Sequence, residues 1–255
     1  MPGEEDTWVK TFSASLPGSY RNRYGSEEIR LHASLAKARG DQPARVGVVP
    51  TSGEGLGICV VAKDAPGLFS NIAAALRLQG FDIVHAEAYT RRMESGEREV
   101  LDLFRLQLQQ GRTLDTAAAS DIAAAISSTL HDLLAGKLDP SQALPAPQPE
   151  PVGTFHDTRV RFIEGDDGAL CTLEVETDDR SGLLLTLARA LSGQKVSVER
   201  SEVRTLASRV LDRFTLAEHD GSPISEARRL NIQVAVISAI ESLVWTPRNS
   251  QRPLH

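Results

Sequence analysis

Asp64-Ala65-Pro66-Gly67-Leu68 returns further along the chain as Asp179-Arg180-Ser181-Gly182-Leu183, an offset of 182 − 67 = 115 residues. A repeat on this scale fixes the organisation before any single element is assigned. The same offset carries Leu68, Ile72, Ala75 and Leu76 onto Leu183, Leu187, Ala190 and Leu191. Their i, i+4, i+7, i+8 spacing is that of an amphipathic helix with one apolar face. Ile83, Glu87 and Thr90 then fall on Val198, Glu202 and Thr205, so the likeness runs on into a following strand. Beyond it, Leu101-Asp102-Leu103-Phe104 matches Leu211-Asp212-Arg213-Phe214 at an offset of 212 − 102 = 110. The first copy therefore has a hairpin five residues longer, and polar Met93-Glu94-Ser95-Gly96-Glu97 suits that loop.

Each copy reads as strand, helix, strand, strand, helix. In the first, strands are predicted near 57–63, 82–92 and 98–108, with helices near 66–79 and 114–135. Ile122, Ile126 and Leu130 mark the buried side of the second helix, and Gly136 is its stop signal. The corresponding helix of the second copy is expected from about Pro223 to Leu243. A further β-rich segment precedes each copy, Val46-Gly47-Val48-Val49 and Arg159-Val160-Arg161-Phe162-Ile163. The fold class that follows is α+β: two ferredoxin-like domains, each a four-stranded antiparallel sheet with two helices on one face. The preceding strand fills the edge of each sheet. The expected partition is an N-terminal extension with a short helix (1–42), domain 1 (43–138), a Pro-rich linker (139–155), domain 2 (156–245) and a disordered tail (246–255). The short helix is expected from Ser26 as N-cap to about Ala38, with Gly40 beyond its end. Pro140, Pro145, Pro147, Pro149 and Pro151 make the linker an extended, semi-rigid connector. Residues 1–25 give no reading by pattern.

Composition narrows the function. The 255 residues are 41% hydrophobic and 24% charged, ordinary for a globular protein, and the net charge of −6 argues against a nucleic-acid partner. No apolar run approaches the ~20 residues of a membrane span. The start, Met-Pro-Gly-Glu-Glu-Asp, lacks a basic segment followed by an apolar one, so a cytoplasmic location is expected. Cys59 and Cys171 lie in apolar strand-like runs and read as buried free thiols. His131-Asp132, His156-Asp157 and His219-Asp220 are spaced as caps and turns rather than as metal ligands. No nucleophile triad, cysteine cluster or phosphate loop occurs, so no catalytic residue, metal or cofactor is expected.

Val60-Val61-Ala62-Lys63-Asp64-Ala65-Pro66-Gly67-Leu68-Phe69 with Ile72-Ala73-Ala74-Ala75-Leu76 resembles the opening of an ACT domain. Glu174-Val175-Glu176-Thr177-Asp178-Asp179-Arg180-Ser181-Gly182-Leu183-Leu184 resembles a second. The pair, with Leu16-Pro17-Gly18-Ser19-Tyr20-Arg21 upstream, is similar over residues 15–245 to the tandem ACT region that ends the bifunctional PII-protein uridylyltransferase and uridylyl-removing enzymes. That resemblance implies glutamine sensing on behalf of a protein partner in nitrogen metabolism. The nucleotidyltransferase signature of that family is missing, because Gly18-Ser19 is followed by Tyr20-Arg21-Asn22-Arg23 and by no acidic pair.

The candidate ligand site is the turn between strand and helix, where free N–H groups and the positive end of the helix receive a carboxylate. Its residues are Asp64, Ala65, Pro66, Gly67, Leu68 and Asn71 in the first copy, with Asp179, Ser181, Gly182 and Leu183 in the second. Glu87 is added from the next strand, with Tyr89 beside it. The same letters also fit a plain cap and tight turn, and for the strand residues a solvated face, so both readings stand at this point. Loss of Pro66 to Ser181 favours the first copy as the working site. The partners expected are an amino acid, a regulated protein and a second copy joined through sheet edges. The alternatives are an association module without ligand and the detached regulatory part of a uridylyltransferase-type enzyme.

Overall fold

The structure is a computed structural model and describes residues 4–51, 53–93, 95–109, 118–144, 158–164, 170–206 and 209–243. The first repeat unit comprises β1 (Ala44–Val48), β2 (Leu56–Lys63), α4 (Leu68–Leu78), β3 (Phe81–Arg92), β4 (Arg98–Leu108) and α5 (Ala119–Leu134). The second comprises β5 (Arg159–Glu164), β6 (Cys171–Asp178), α6 (Leu183–Gly193), β7 (Val196–Leu206), β8 (Arg209–Glu218) and α7 (Glu226–Ser242). Three helices precede them, α1 (Glu4–Ala14), α2 (Gly18–Arg23) and α3 (Ser26–Arg39).

Eight strands form one sheet in the order β1-β2-β4-β3-β7-β8-β6-β5. Each half is the expected ferredoxin-like sheet, and β1 and β5 pair antiparallel with β2 and β6 to fill the outer edges. The halves join where β3 pairs antiparallel with β7, from His85↔Arg204 to Tyr89↔Arg200. Within that ladder Glu87 faces Glu202, its own counterpart in the repeat. A residue opposite its equivalent marks a two-fold relation, so the pair is built like an isologous dimer inside one chain. Both central strands carry the same irregularity, between Ile83 and His85 in β3 and between Val198 and Arg200 in β7.

Parity along the strands separates two faces. One row, including Ile58, Val60, Phe104, Leu173, Val175 and Phe214, packs under α4, α5, α6 and α7 in a single core spanning both units. Phe69 of α4 meets Phe214 edge-on at 6.2 Å, tying the first helix to the second sheet. The opposite row differs between copies. In the first it is Cys59, Val61, Tyr89, Leu101 and Leu103, packed against Phe12, Leu16, Tyr20, Ala33 and Ala36 from the N-terminal helices. In the second the matching positions are Glu174, Glu176, Arg204, Leu211 and Arg213, and the charges pair across the surface, Arg161 and Arg213 reaching Glu174 at 2.6 and 2.8 Å. The N-terminal helices thus cover the copy whose outer row is apolar.

Three local expectations are corrected. Helix α3 is capped by Gly25, whose N–H donates to Glu28 Oε2 at 2.8 Å, so Ser26 is its first residue rather than its cap. Helix α4 begins at Leu68, not Pro66, because Gly67 is left-handed (φ 76°). The linker is not extended throughout: Pro140–Ala143 form a 3-10 turn with Ala143 buried against α4. Its remaining prolines, the tail and His156-Asp157 lie outside the described residues.

Candidate functional site

The repeated motif makes the same turn twice. Leu68 N–H donates to the Ala65 carbonyl at 3.1 Å, and Leu183 N–H to that of Arg180 at 3.1 Å. Gly67 (φ 76°, ψ 4°) and Gly182 (φ 81°, ψ 5°) have the conformation of the third residue of a type II turn. Pro66 presets the second position, which Ser181 fills in the other copy. Asp64 does not cap α4. It accepts from Arg98 Nε at 2.7 Å, and Arg98 also reaches Glu199 of β7 at 2.6 Å, so this turn is tied to the second unit.

A pocket of about 280 Å³ opens at the first turn. Asp64, Ala65, Pro66, Gly67, Leu68 and Ser70 form one wall. Arg98, Val100 and Asp102 of β4 line its base, and Ser192, Ser197, Val198 and His219 of the second unit close the far side. Phe69 and Ser70, whose first-turn N–H groups lack an acceptor within the helix, are among the lining residues. Asp102 is 2% exposed, and its Oδ1 has no hydrogen-bond partner. Burial, followed by the charge of Asp64, holds its carboxyl well above the usual range. Five predicted site residues therefore share one interface pocket; Asn71 and Glu87 are not among its lining residues.

The second turn meets a different neighbour. The repeat places Arg77 and Asp82 where the first pocket has Ser192 and Ser197. Arg77 bonds Asp82 at 3.1 Å, donates to Ser181 Oγ at 2.9 Å and donates through Nε to the Ala143 carbonyl at 2.6 Å. A guanidinium from the first unit thus bonds Ser181 within the predicted second site of Asp179, Ser181, Gly182 and Leu183.

Glu87 belongs to the other face of the sheet. Its carboxylate accepts from Tyr24 (2.6 Å), Tyr89 (2.9 Å) and His85 (3.0 Å), and pairs with Arg23 at 2.5 Å. Burial opposes its charge, but these hydrogen bonds and the arginine prevail and hold it at about 2. Beside it the Tyr20 hydroxyl and His32 Nδ1 share a hydrogen bond at 2.8 Å. These partners from residues 1–25 were missed by pattern. The available signal was aromatic: Trp8 with Phe12, and Tyr20 with Tyr24, each at i, i+4.

The same cluster sets a pH dependence. Burial lowers His32 to about 4 from an ordinary 6.5, so between those values the unfolded chain binds more protons than the folded one. Stability from this group is complete above pH 6.5 and is lost as pH falls toward 4. By linkage the loss reaches about 2 kcal/mol at pH 5. Denaturant titrations at pH 7 and pH 5 are expected to show this loss as the difference between the native chain and His32→Gln, which lacks the titrating group.

A two-fold pair of ferredoxin-like units, joined edge to edge and carrying a pocket at a Gly-turned helix start, is the arrangement expected from the resemblance to a tandem ACT region. The comparisons place the chain beside one kind of enzyme. It is 29% identical over 241 residues to the bifunctional uridylyltransferase/uridylyl-removing enzyme of Cupriavidus pinatubonensis, covering 91% of this chain and 26% of that protein. The enzyme of the same name from Rhodospirillum rubrum is 32% identical over 192 residues, 73% of this chain and 20% of that protein. The chain therefore spans about a quarter of the length of the curated relatives it matches, in their C-terminal part. No protein-family model matches. Among solved structures, aspartate kinase from Synechocystis aligns at a TM-score of 0.40 and 14% identity over 85% of this chain and 32% of that one, too distant to bear on fold or function. Among the described residues no helix is long and apolar enough to cross a membrane, and no cluster of three or more His, Cys, Asp or Glu gathers to hold a metal ion.

Proposed function

We propose that this chain is a regulatory, non-catalytic sensor that binds a free α-amino acid in the pocket between the two units and passes that signal to a protein partner in nitrogen or amino-acid metabolism. One observation supports it above the others: the pocket sets a buried, unpartnered carboxylate, a guanidinium and a helix start around a single small space. That is the complement of a zwitterion. The ligand touches α4 and β4 on one side and α6 and β7 on the other, so its binding energy acts on how the units pack. Glutamine is the first candidate, following the resemblance to the uridylyltransferase ACT pair. The partner is a catalytic protein of that type, in the cytoplasm. Sheet-edge dimerisation has β1 and β5 as its remaining edges, since β3 and β7 pair within the chain.

Titration calorimetry against glutamine and a panel of other amino acids tests this, repeated with Gly67→Ala. A Cβ at Gly67 would come within 3.2 Å of Ser192 Oγ, at a φ that costs an L-residue about 1 kcal/mol. Saturable heat in the native chain, weakened roughly tenfold in the variant, is expected. Absence of heat with every amino acid, from folded protein, leaves a ligand-free association module as the better account. Arg77 favours that second reading at the other turn, where the chain supplies its own contact.

A further inference from the structure

Asp102 stands where an apolar side chain would be expected. It shares the helix-facing row of β4 with Val100, Phe104 and Leu106, all buried in the core. Its cross-strand neighbours, Val60 on β2 and Ala88 on β3, have no side-chain donor. Arg98 is engaged by Asp64 and Glu199. An uncompensated carboxylate at this depth is costly to folding, and a valine would pack there at no such cost. The group faces a pocket, so what offsets the cost enters from the pocket and is cationic.

We propose that Asp102 is the receptor for the ammonium group of the pocket's ligand and restricts the site to primary amines, an inference that deepens the sensor reading and rests on it. The three N–H donors of an ammonium match the vacant lone pairs of a carboxylate. The carboxylate of the same ligand then lies toward the α4 start. The second unit keeps this position as Asp212, 1% exposed, and there Arg77 brings a guanidinium to the neighbouring turn. The titratable and charged groups facing Asp102 are Asp64 before α4, Arg98 on its own strand and His219 after β8.

The test compares each amino acid that binds with its analogue lacking the α-amine, which for glutamine is 4-carbamoylbutyrate, and sets native chain against Asp102→Asn. Loss of a charge-assisted hydrogen bond predicts a tenfold to hundredfold weaker affinity in the variant. Its melting temperature is expected unchanged or raised. The analogue is expected not to bind the native chain. Equal affinity for amino acid and analogue, or native affinity in D102N, overturns the assignment; the analogue comparison needs no variant and so survives a folding defect. Methylammonium separates the two readings when no amino acid gives heat. A melting point raised by it in the native chain and not in D102N keeps the ammonium receptor and discards the amino-acid sensor, whereas no response to either ligand overturns both.

Discussion

Tyr20→Ala is expected to destabilise the chain by about 4 kcal/mol, the range for deleting a large buried aromatic side chain. Tyr20 is completely buried and meets Phe12, Tyr24 and Tyr89 at ring-centroid distances of 5.1–6.4 Å. Its hydroxyl shares a hydrogen bond with His32, which the substitution leaves buried without that partner. It is the central ring between α1, α3 and the outer face of the first sheet. Without it the N-terminal helices lose their hold on Cys59, Val61, Leu101 and Leu103. Denaturant unfolding measures the loss, and hydrogen exchange is expected to rise over residues 4–39 before it rises in the second unit. A change within 1 kcal/mol would show that the cover is held by α3 and the Arg39–Glu99–Arg91 ion pairs instead.

That cover was partly legible in the sequence. Strand β2, Leu56-Gly57-Ile58-Cys59-Val60-Val61-Ala62, is an unbroken apolar run, the mark of a strand buried on both faces. Strand β6, Cys171-Thr172-Leu173-Glu174-Val175-Glu176, alternates and has one wet face. The contrast between repeat copies called for an extra layer over the first sheet only, and the aromatic pairs before residue 25 were there to supply it. The strands and helices themselves were readable to within a few residues, because period and turn glycines are local signals. The sites of Glu87 and Asp102 were not. Which face a strand residue takes past the irregularity at Ile83–His85 depends on tertiary register, and a lone acidic residue in β4 means nothing until its neighbours prove unable to pair with it. Arg77 was invisible for the same reason, since its contacts lie 66 and 104 residues away.

Ser192→Arg is expected to abolish amino-acid binding, by at least about a hundredfold, with the fold intact, for it copies into the first pocket the plug that the chain carries in the second. The repeat aligns Ser192 with Arg77, and Gly67 lies close to Ser192 Oγ. A guanidinium there enters the space between Arg98 and the α4 start and offers Asp102 and Asp64 the cation that the ligand would bring. A stabilised, unresponsive protein is the expected outcome, detectable as a raised melting temperature and no calorimetric heat. Arg77→Ser is the converse: it removes the contacts to Ser181, Asp82 and the Ala143 carbonyl and opens the second turn. If the two turns differ only by this side chain, the native chain binds one ligand, S192R none and R77S two. A native stoichiometry of two would show instead that Arg77 swings aside on binding, and the asymmetry would then be one of affinity rather than occupancy. Unaltered binding by S192R would remove the pocket from the ligand's path altogether.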